Sequence, residues 1–131
     1  MHTVHLPKEK GVFMASAVGI LFSVNEHTVK LSQSEEQLID KFFDSMQWDQ
    51  KDPVVNEIAY GDLMKMVDFS NRWVYNGSVT TPPCATKVLW NELATVYPMK
   101  QKHLDLFKTK LDLAHGYEPS TLSKVGSYRD T

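Results

Sequence analysis

A Pro-Pro pair, Pro82-Pro83, separates two stretches that are both suited to extended backbone, and no other feature restricts the fold of this chain as much. Residues 72 to 79 carry Trp73, Val74, Tyr75 and Val79, and residues 86 to 97 carry Thr86, Val88, Leu89, Trp90, Leu93, Val96 and Tyr97. These β-branched and aromatic types fit a pleated, half-buried surface, so both stretches are predicted strands. The prolines remove two backbone donors and bias Thr81 and Pro82 towards extended geometry, so the ladder must stop and the chain must leave the sheet between them. Thr80 and Thr81 then stand at a strand end, with hydroxyls that either meet a ligand or satisfy local backbone groups in a turn.

The rest of the chain reads as mixed structure. Residues 12 to 24 are near-continuously apolar, the pattern of a central strand covered on both faces. Residues 34 to 46 predict a helix, with Ser34 and Gln37 as a capping box and Leu38, Ile39, Phe42, Phe43 and Met46 on one face. Residues 48 to 61 mostly connect, with Asp52-Pro53 as a breaker and 54 to 58 as a short edge strand. Residues 62 to 68 predict a helical turn that puts Leu63, Met64 and Met66 on the core. Residues 102 to 111 predict a second short helix with Leu104, Phe107 and Leu111 inward. The tail from 116 to 131, poor in large apolar residues, is expected to trail over the surface. The fold expectation is an α+β domain, 1–131, built on a twisted, mainly antiparallel β-sheet with short peripheral helices.

Composition narrows the function classes. The 131 residues, 42% hydrophobic and 11% aromatic, suffice for one domain with a modest core. A net charge of −2 and no basic stripe interleaved with aromatics argue against nucleic acid. The longest apolar run, residues 12 to 24, is interrupted by Ser16, Gly19 and Ser23 and is too short to span a bilayer. Met1-His2-Thr3 lacks a basic region feeding an apolar one, so no signal peptide is expected there. Cys84, the one cysteine, reads by itself as a small buried hydrophobe.

The run Tyr75-x-Gly77-Ser78-Val79-Thr80-Thr81-Pro82-Pro83-Cys84, with Trp90 six residues on, resembles the α-class carbonic anhydrases, whose signature is Tyr-x-Gly-Ser-Leu-Thr-Thr-Pro-Pro followed by a Trp. Val79 stands where the family most often has Leu. Upstream, Met1-His2-Thr3-Val4-His5 is similar to the family's His-Leu-Val-His strand, and Ala17-Val18-Gly19-Ile20-Leu21-Phe22 to its Val-Leu-Gly-Ile-Phe-Leu strand. Downstream, residues 101 to 107 resemble a family helix ending in Val-Leu-x-Phe, and Tyr128-Arg129 its Asn-Trp-Arg segment. The resemblance covers nearly the whole chain but only the C-terminal half of the family's domain.

That resemblance implies a zinc centre of three His ligands and one water, two of the ligands coming from a His-x-His strand that would precede Met1. No His-x-His occurs in these 131 residues, and the position matching the third ligand is His2. Strand alternation puts His2 and Val4 on one face and Thr3 and His5 on the other, so His2 and His5 cannot share a metal. His27, His103 and His115 are expected to be solvated.

The resemblance also implies the chemistry, hydration of carbon dioxide to bicarbonate by hydroxide generated on Zn2+. Val4, Ala17, Val79 and Trp90 match the apolar carbon dioxide pocket; Thr80 matches the residue that accepts the hydroxide's hydrogen bond, and Thr81 one that places bicarbonate. A cis peptide at Pro82–Pro83 is implied as well. A Cys after Thr-Thr-Pro-Pro typically pairs, in secreted relatives, with a Cys near the start of the full domain, which makes secretory ancestry an expectation for Cys84. The open sheet edge left without an N-terminal half is expected to meet another chain or that missing half. Two readings compete: an enzyme whose other half is not in this sequence, and a non-catalytic, carbonic-anhydrase-related interaction domain. The survival of His2, the pocket residues and the Thr-Thr-Pro-Pro loop favours the first.

Overall fold

The computed structural model of the chain describes residues 1–81 and 83–114, the side chains of 112–114 excepted. In chain order its elements are strands β1 (His2–His5) and β2 (Ala15–Ser23), helices α1 (Gln33–Asp44) and α2 (Tyr60–Met66), strands β3 (Arg72–Ser78) and β4 (Thr86–Pro98), and helix α3 (Gln101–Ala114). They divide into two units, one holding the strands (residues 1–29 and 68–97) and one holding the helices (30–67 and from 98 on).

The strand unit is a four-stranded sheet in the order β1-β2-β4-β3. The apolar run of 12 to 24 forms β2, a central strand, as its composition predicts. β1 pairs antiparallel with β2, His2 opposite Gly19 and Val4 opposite Ala17. β3 pairs antiparallel with β4, Tyr75 opposite Trp90 and Gly77 opposite Val88. Between β2 and β4 the contacts rise in step along both strands. Met14 N–H donates to the Lys87 carbonyl, the Ser16 hydroxyl to the Leu89 carbonyl, and the Asn91 amide to the Ala17 carbonyl, the sense of a parallel pair. The sheet is therefore mixed, with two of its three pairings antiparallel.

The helical unit buries Ile39, Phe42 and Phe43 of α1 and Leu63 of α2, as their spacing predicts. Its cap is shifted from the expected Ser34/Gln37 pair. Ser32 is the N-cap, its backbone N–H donating to the Glu35 carboxylate at 2.8 Å and its hydroxyl accepting from Glu35 N–H at 3.4 Å. Both pairs fit the spacing of a capping box, but Glu35 adds a negative charge beside the helix N-terminus, where the macrodipole favours it.

Other expectations are corrected. Residues 54 to 58 form no strand, and Val54 is exposed: two valines and an isoleucine suit a strand only if a neighbour offers an edge. Among the described side chains of α3 the buried one is His103, while Phe107 and Leu111 are about 40% exposed. His103 is not solvated. It is buried between Asp40, 3.0 Å from Nε2, and the ring of Phe43, 5.2 Å between centroids. Its burial follows from that pairing, since a His satisfied by a carboxylate can leave water. The tail, with His115 and Tyr128-Arg129, lies outside the described residues, as do Pro82 and hence the Pro82–Pro83 bond.

Candidate functional site

The site is best built outward from Trp90, on β4. Its indole is buried and takes three contacts at once. The ring lies edge-on to His2 of β1 with centroids 4.7 Å apart, runs nearly parallel to Tyr75 of β3 at 6.3 Å, and donates from Nε1 to the Ser78 carbonyl at 3.0 Å. Buried indoles need such an acceptor. A register shift supplies it. Ser78 pairs with Thr86 while Gly77 pairs with Val88, so Lys87 is extra, bulged out with φ of 67°. Gly77 makes the indole's position compatible with β3, because a Cβ there would stand 2.8 Å from Trp90 Cδ1. That is a physical reason for Gly in the Tyr-x-Gly run.

The strand registers then assign one face of the sheet. His2 and Val4 of β1, Ala17 and Gly19 of β2, Val88, Trp90 and Glu92 of β4, and Tyr75 and Gly77 of β3 all share it. On it Ala17, Val88 and Trp90 form a buried apolar cluster against which Val79 packs. His2 and Val4 are exposed beside that cluster. Thr3 and His5 face the other way, the Thr3 hydroxyl 3.1 Å from His5 Nε2. The structure thus brings together five sequence-predicted site residues: His2, Val4, Ala17, Val79 and Trp90.

Thr80 and Thr81 lead off the end of β3 into a loop whose ends are tied by Val79 N–H to the Ala85 carbonyl at 2.9 Å. Inside it, Cys84 N–H closes a turn on the Thr81 carbonyl at 2.8 Å, with Cys84 at φ of 54°. Both threonines are exposed. Cys84 is free and half-buried. A non-glycine residue in the left-handed region costs about 1–2 kcal/mol, so two of them, Cys84 inside this loop and Lys87 just beyond it, mark a conformation held by its surroundings.

Sequence reasoning missed three members of the face. Val88 and Glu92 lie two residues either side of Trp90, so strand alternation alone would have found them. Gly19 gave no such signal, since a missing side chain matters only through what fills its space. Glu92 is half-buried, and its charge acts on the Met1 amino group, whose pKa is lowered by burial and partly restored by that carboxylate. The opposite face carries a shallow cleft lined by Val18, Phe69, Arg72, Asn91 and Leu93, in which the Arg72 guanidinium is engaged by Asn91 Oδ1 and the Phe69 carbonyl. None of the predicted site residues lines it.

A catalytic zinc takes three protein ligands and keeps one position open. Among the described residues no group of three or more His, Cys, Asp or Glu side chains can hold a metal. His2 is one donor of the three, so the residues described here do not by themselves fit the ion.

The family model for eukaryotic-type carbonic anhydrase matches residues 7–131, beginning just after β1. No curated protein matches in sequence. Among solved structures, the α-carbonic anhydrase of Thermovibrio ammonificans, in complex with the inhibitor sulfanilamide, shares the fold at a TM-score of 0.58 and 21% identity, over 82% of this chain and 42% of its own. The fungal α-carbonic anhydrase of Aspergillus oryzae does so at 0.54 and 23%, over 82% and 43%. Dioscorin, complexed with ascorbate, follows at 0.56 and 19%, over 80% and 40%. The chain spans less than half the length of each of these structures.

Proposed function

The chain belongs to the eukaryotic-type carbonic anhydrase family, and from that premise we propose that it supplies the C-terminal half of a zinc-dependent domain interconverting carbon dioxide and bicarbonate. The observation that carries this reading is the shared sheet face on which exposed His2 stands against the rim of the Ala17, Val88 and Trp90 cluster. A metal donor beside an apolar patch is the pairing this reaction requires: the ion generates the nucleophile, and the patch receives a substrate with no net dipole.

In this reading His2 is the third zinc ligand, and the other two come from a His-x-His strand on a segment that covers the open edge beside β1. Zn2+ supplies hydroxide at neutral pH when bound. The chain's own residues do the rest. Val4, Ala17, Val79 and Trp90 hold carbon dioxide and exclude water from it. The Thr80 hydroxyl accepts a hydrogen bond that aims the attacking oxygen's lone pair at the substrate carbon, and Thr81 positions bicarbonate. An interaction domain without catalysis is the competing reading, and it differs in needing neither Thr80 nor His2.

Adding a polypeptide that bears the His-x-His strand and measuring carbon dioxide hydration by stopped flow tests the proposal. Turnover is expected to appear, and Thr80→Ala to lower it about a hundred- to a thousand-fold, the loss that follows removal of one pre-positioned hydrogen bond at a reacting oxygen. Turnover unchanged by Thr80→Ala would reduce the hydroxyl to a turn-former and end its catalytic assignment.

A further inference from the structure

Of the chain's asparagines, Asn25, Asn56, Asn71, Asn76 and Asn91, one is followed two residues on by a hydroxyl: Asn76-Gly77-Ser78. This is the acceptor pattern for N-linked glycosylation, which bars proline at the middle position. Gly77, where a Cβ would crowd Trp90, meets that condition. A three-residue pattern is short, so what the fold does with the amide decides its meaning.

Strand alternation turns Asn76 away from the candidate site. Its neighbours Tyr75 and Gly77 lie opposite Trp90 and Val88 on the site face, while Asn76 lies opposite Leu89 on the other. Asn76 is exposed, and β3 is the outermost of the four strands on its side of the sheet. The surface around it is open: Val74, two residues earlier on the same face, is 54% exposed. Among the described residues the Asn76 amide makes no hydrogen bond. Asn91, on the same face of β4, is the contrast. Its amide donates to the Ser16 hydroxyl and to the Ala17 and Leu89 carbonyls, contacts that a sugar on that nitrogen would break. An amide nitrogen has two hydrogens, and a glycan takes the place of one while needing water around its bulk. Asn76 meets both demands and Asn91 neither.

We propose that Asn76 is the acceptor of an N-linked oligosaccharide, attached on the side of the sheet away from the candidate site as the chain enters the secretory route. The donor is an oligosaccharide carried on a lipid diphosphate. The bond between the first sugar's anomeric carbon and the diphosphate oxygen breaks, and a bond from that carbon to Asn76 Nδ2 forms. The lipid diphosphate leaves, and the proton lost from Nδ2 passes to a base of the transferase. The Ser78 hydroxyl is the recognition element. The ladder partner of Asn76, Leu89, lies later in the chain, and synthesis runs from the N-terminus, so the acceptor emerges while still unpaired. The inference is independent of the zinc reading.

The test expresses the full chain behind a cleavable signal peptide in insect cells. Medium and cell lysate are both analysed by gel mobility and peptide mass, before and after peptide-N-glycosidase F, which leaves an aspartate where the sugar stood. The wild type is expected to carry the glycan at position 76 and to reach the medium. Asn76→Gln and Ser78→Ala are expected to lose it, and Ser78→Thr, which keeps the hydroxyl, to retain it. An unmodified wild type in both fractions, or a glycan at position 76 that persists in Ser78→Ala, overturns the proposal. So does a glycosylated wild type confined to the lysate while Asn76→Gln is secreted, since the folded sheet would then not accommodate the sugar. Should no form reach the medium, occupancy in the lysate decides alone.

Discussion

Replacing Trp90 by Phe and by Ala separates the two things its indole does. Trp90→Phe removes the 3.0 Å bond to the Ser78 carbonyl, about 1 kcal/mol, and the five-membered ring's share of buried area. That share, on the order of 40 Å², adds about 1 kcal/mol at roughly 25 cal/mol/Å². The expected loss is therefore about 2 kcal/mol. Trp90→Ala also removes the ring contacts with His2 and Tyr75 and leaves a cavity against Ala17 and Val88, for about 3–5 kcal/mol. Against the 5–15 kcal/mol of an ordinary domain, Trp90→Phe should fold and Trp90→Ala should be marginal. Urea unfolding followed by circular dichroism gives the free energies, and amide exchange across β3 and β4 localises them. If Trp90→Ala costs under 1 kcal/mol, or Trp90→Phe as much as Trp90→Ala, the indole is not what joins β1, β3 and β4 on this face.

The helical unit offers two further checks. Ser32→Ala removes the reciprocal cap of α1 and should cost about 1 kcal/mol in urea unfolding, while Ser34→Ala should cost a few tenths at most. Asp40 titrates below its ordinary value of 3.8: partial burial raises its pKa, but hydrogen bonds from Lys100 and His103 and the charges of both outweigh that. A carboxyl depressed in the folded state contributes stability above its unfolded pKa and loses it as pH falls through the folded one. The unit should thus weaken from about pH 4 downward, and Asp40→Asn should flatten that acid limb while lowering stability at neutral pH. An acid limb equally steep in Asp40→Asn would assign it to other carboxylates.

How far the sequence carried depends on the kind of signal. The strands around the Pro-Pro pair, the apolar β2 and the apolar face of α1 were legible because each is a local pattern of period two or 3.6. The pocket residues were legible only through a motif, since Val4, Ala17, Val79 and Trp90 are dispersed over 87 positions, 4 to 90 inclusive, and meet through register. His103 was misread because its partner Asp40 lies 63 residues away and no local pattern pairs them. The cap was misread by one small choice: Ser32 and Ser34 both have an acidic or amide residue three positions on, and only charge separates them. Residues 54 to 58 have strand composition without a neighbouring edge. Glu92 went unnoticed because a glutamate on a strand is ordinary until the glycine beneath it is known.

The measurement that bears most directly on the account is the zinc content of the chain after dialysis against a chelator, alone and with a segment bearing the His-x-His strand, for wild type and His2→Ala. One His and a water cannot complete a tetrahedral site, so the chain alone should retain no zinc; with the segment the wild type should hold about one ion per complex and His2→Ala far less. Stoichiometric, chelator-resistant zinc in the chain alone, or undiminished zinc in the complemented His2→Ala protein, would contradict the assignment of His2 as the third ligand.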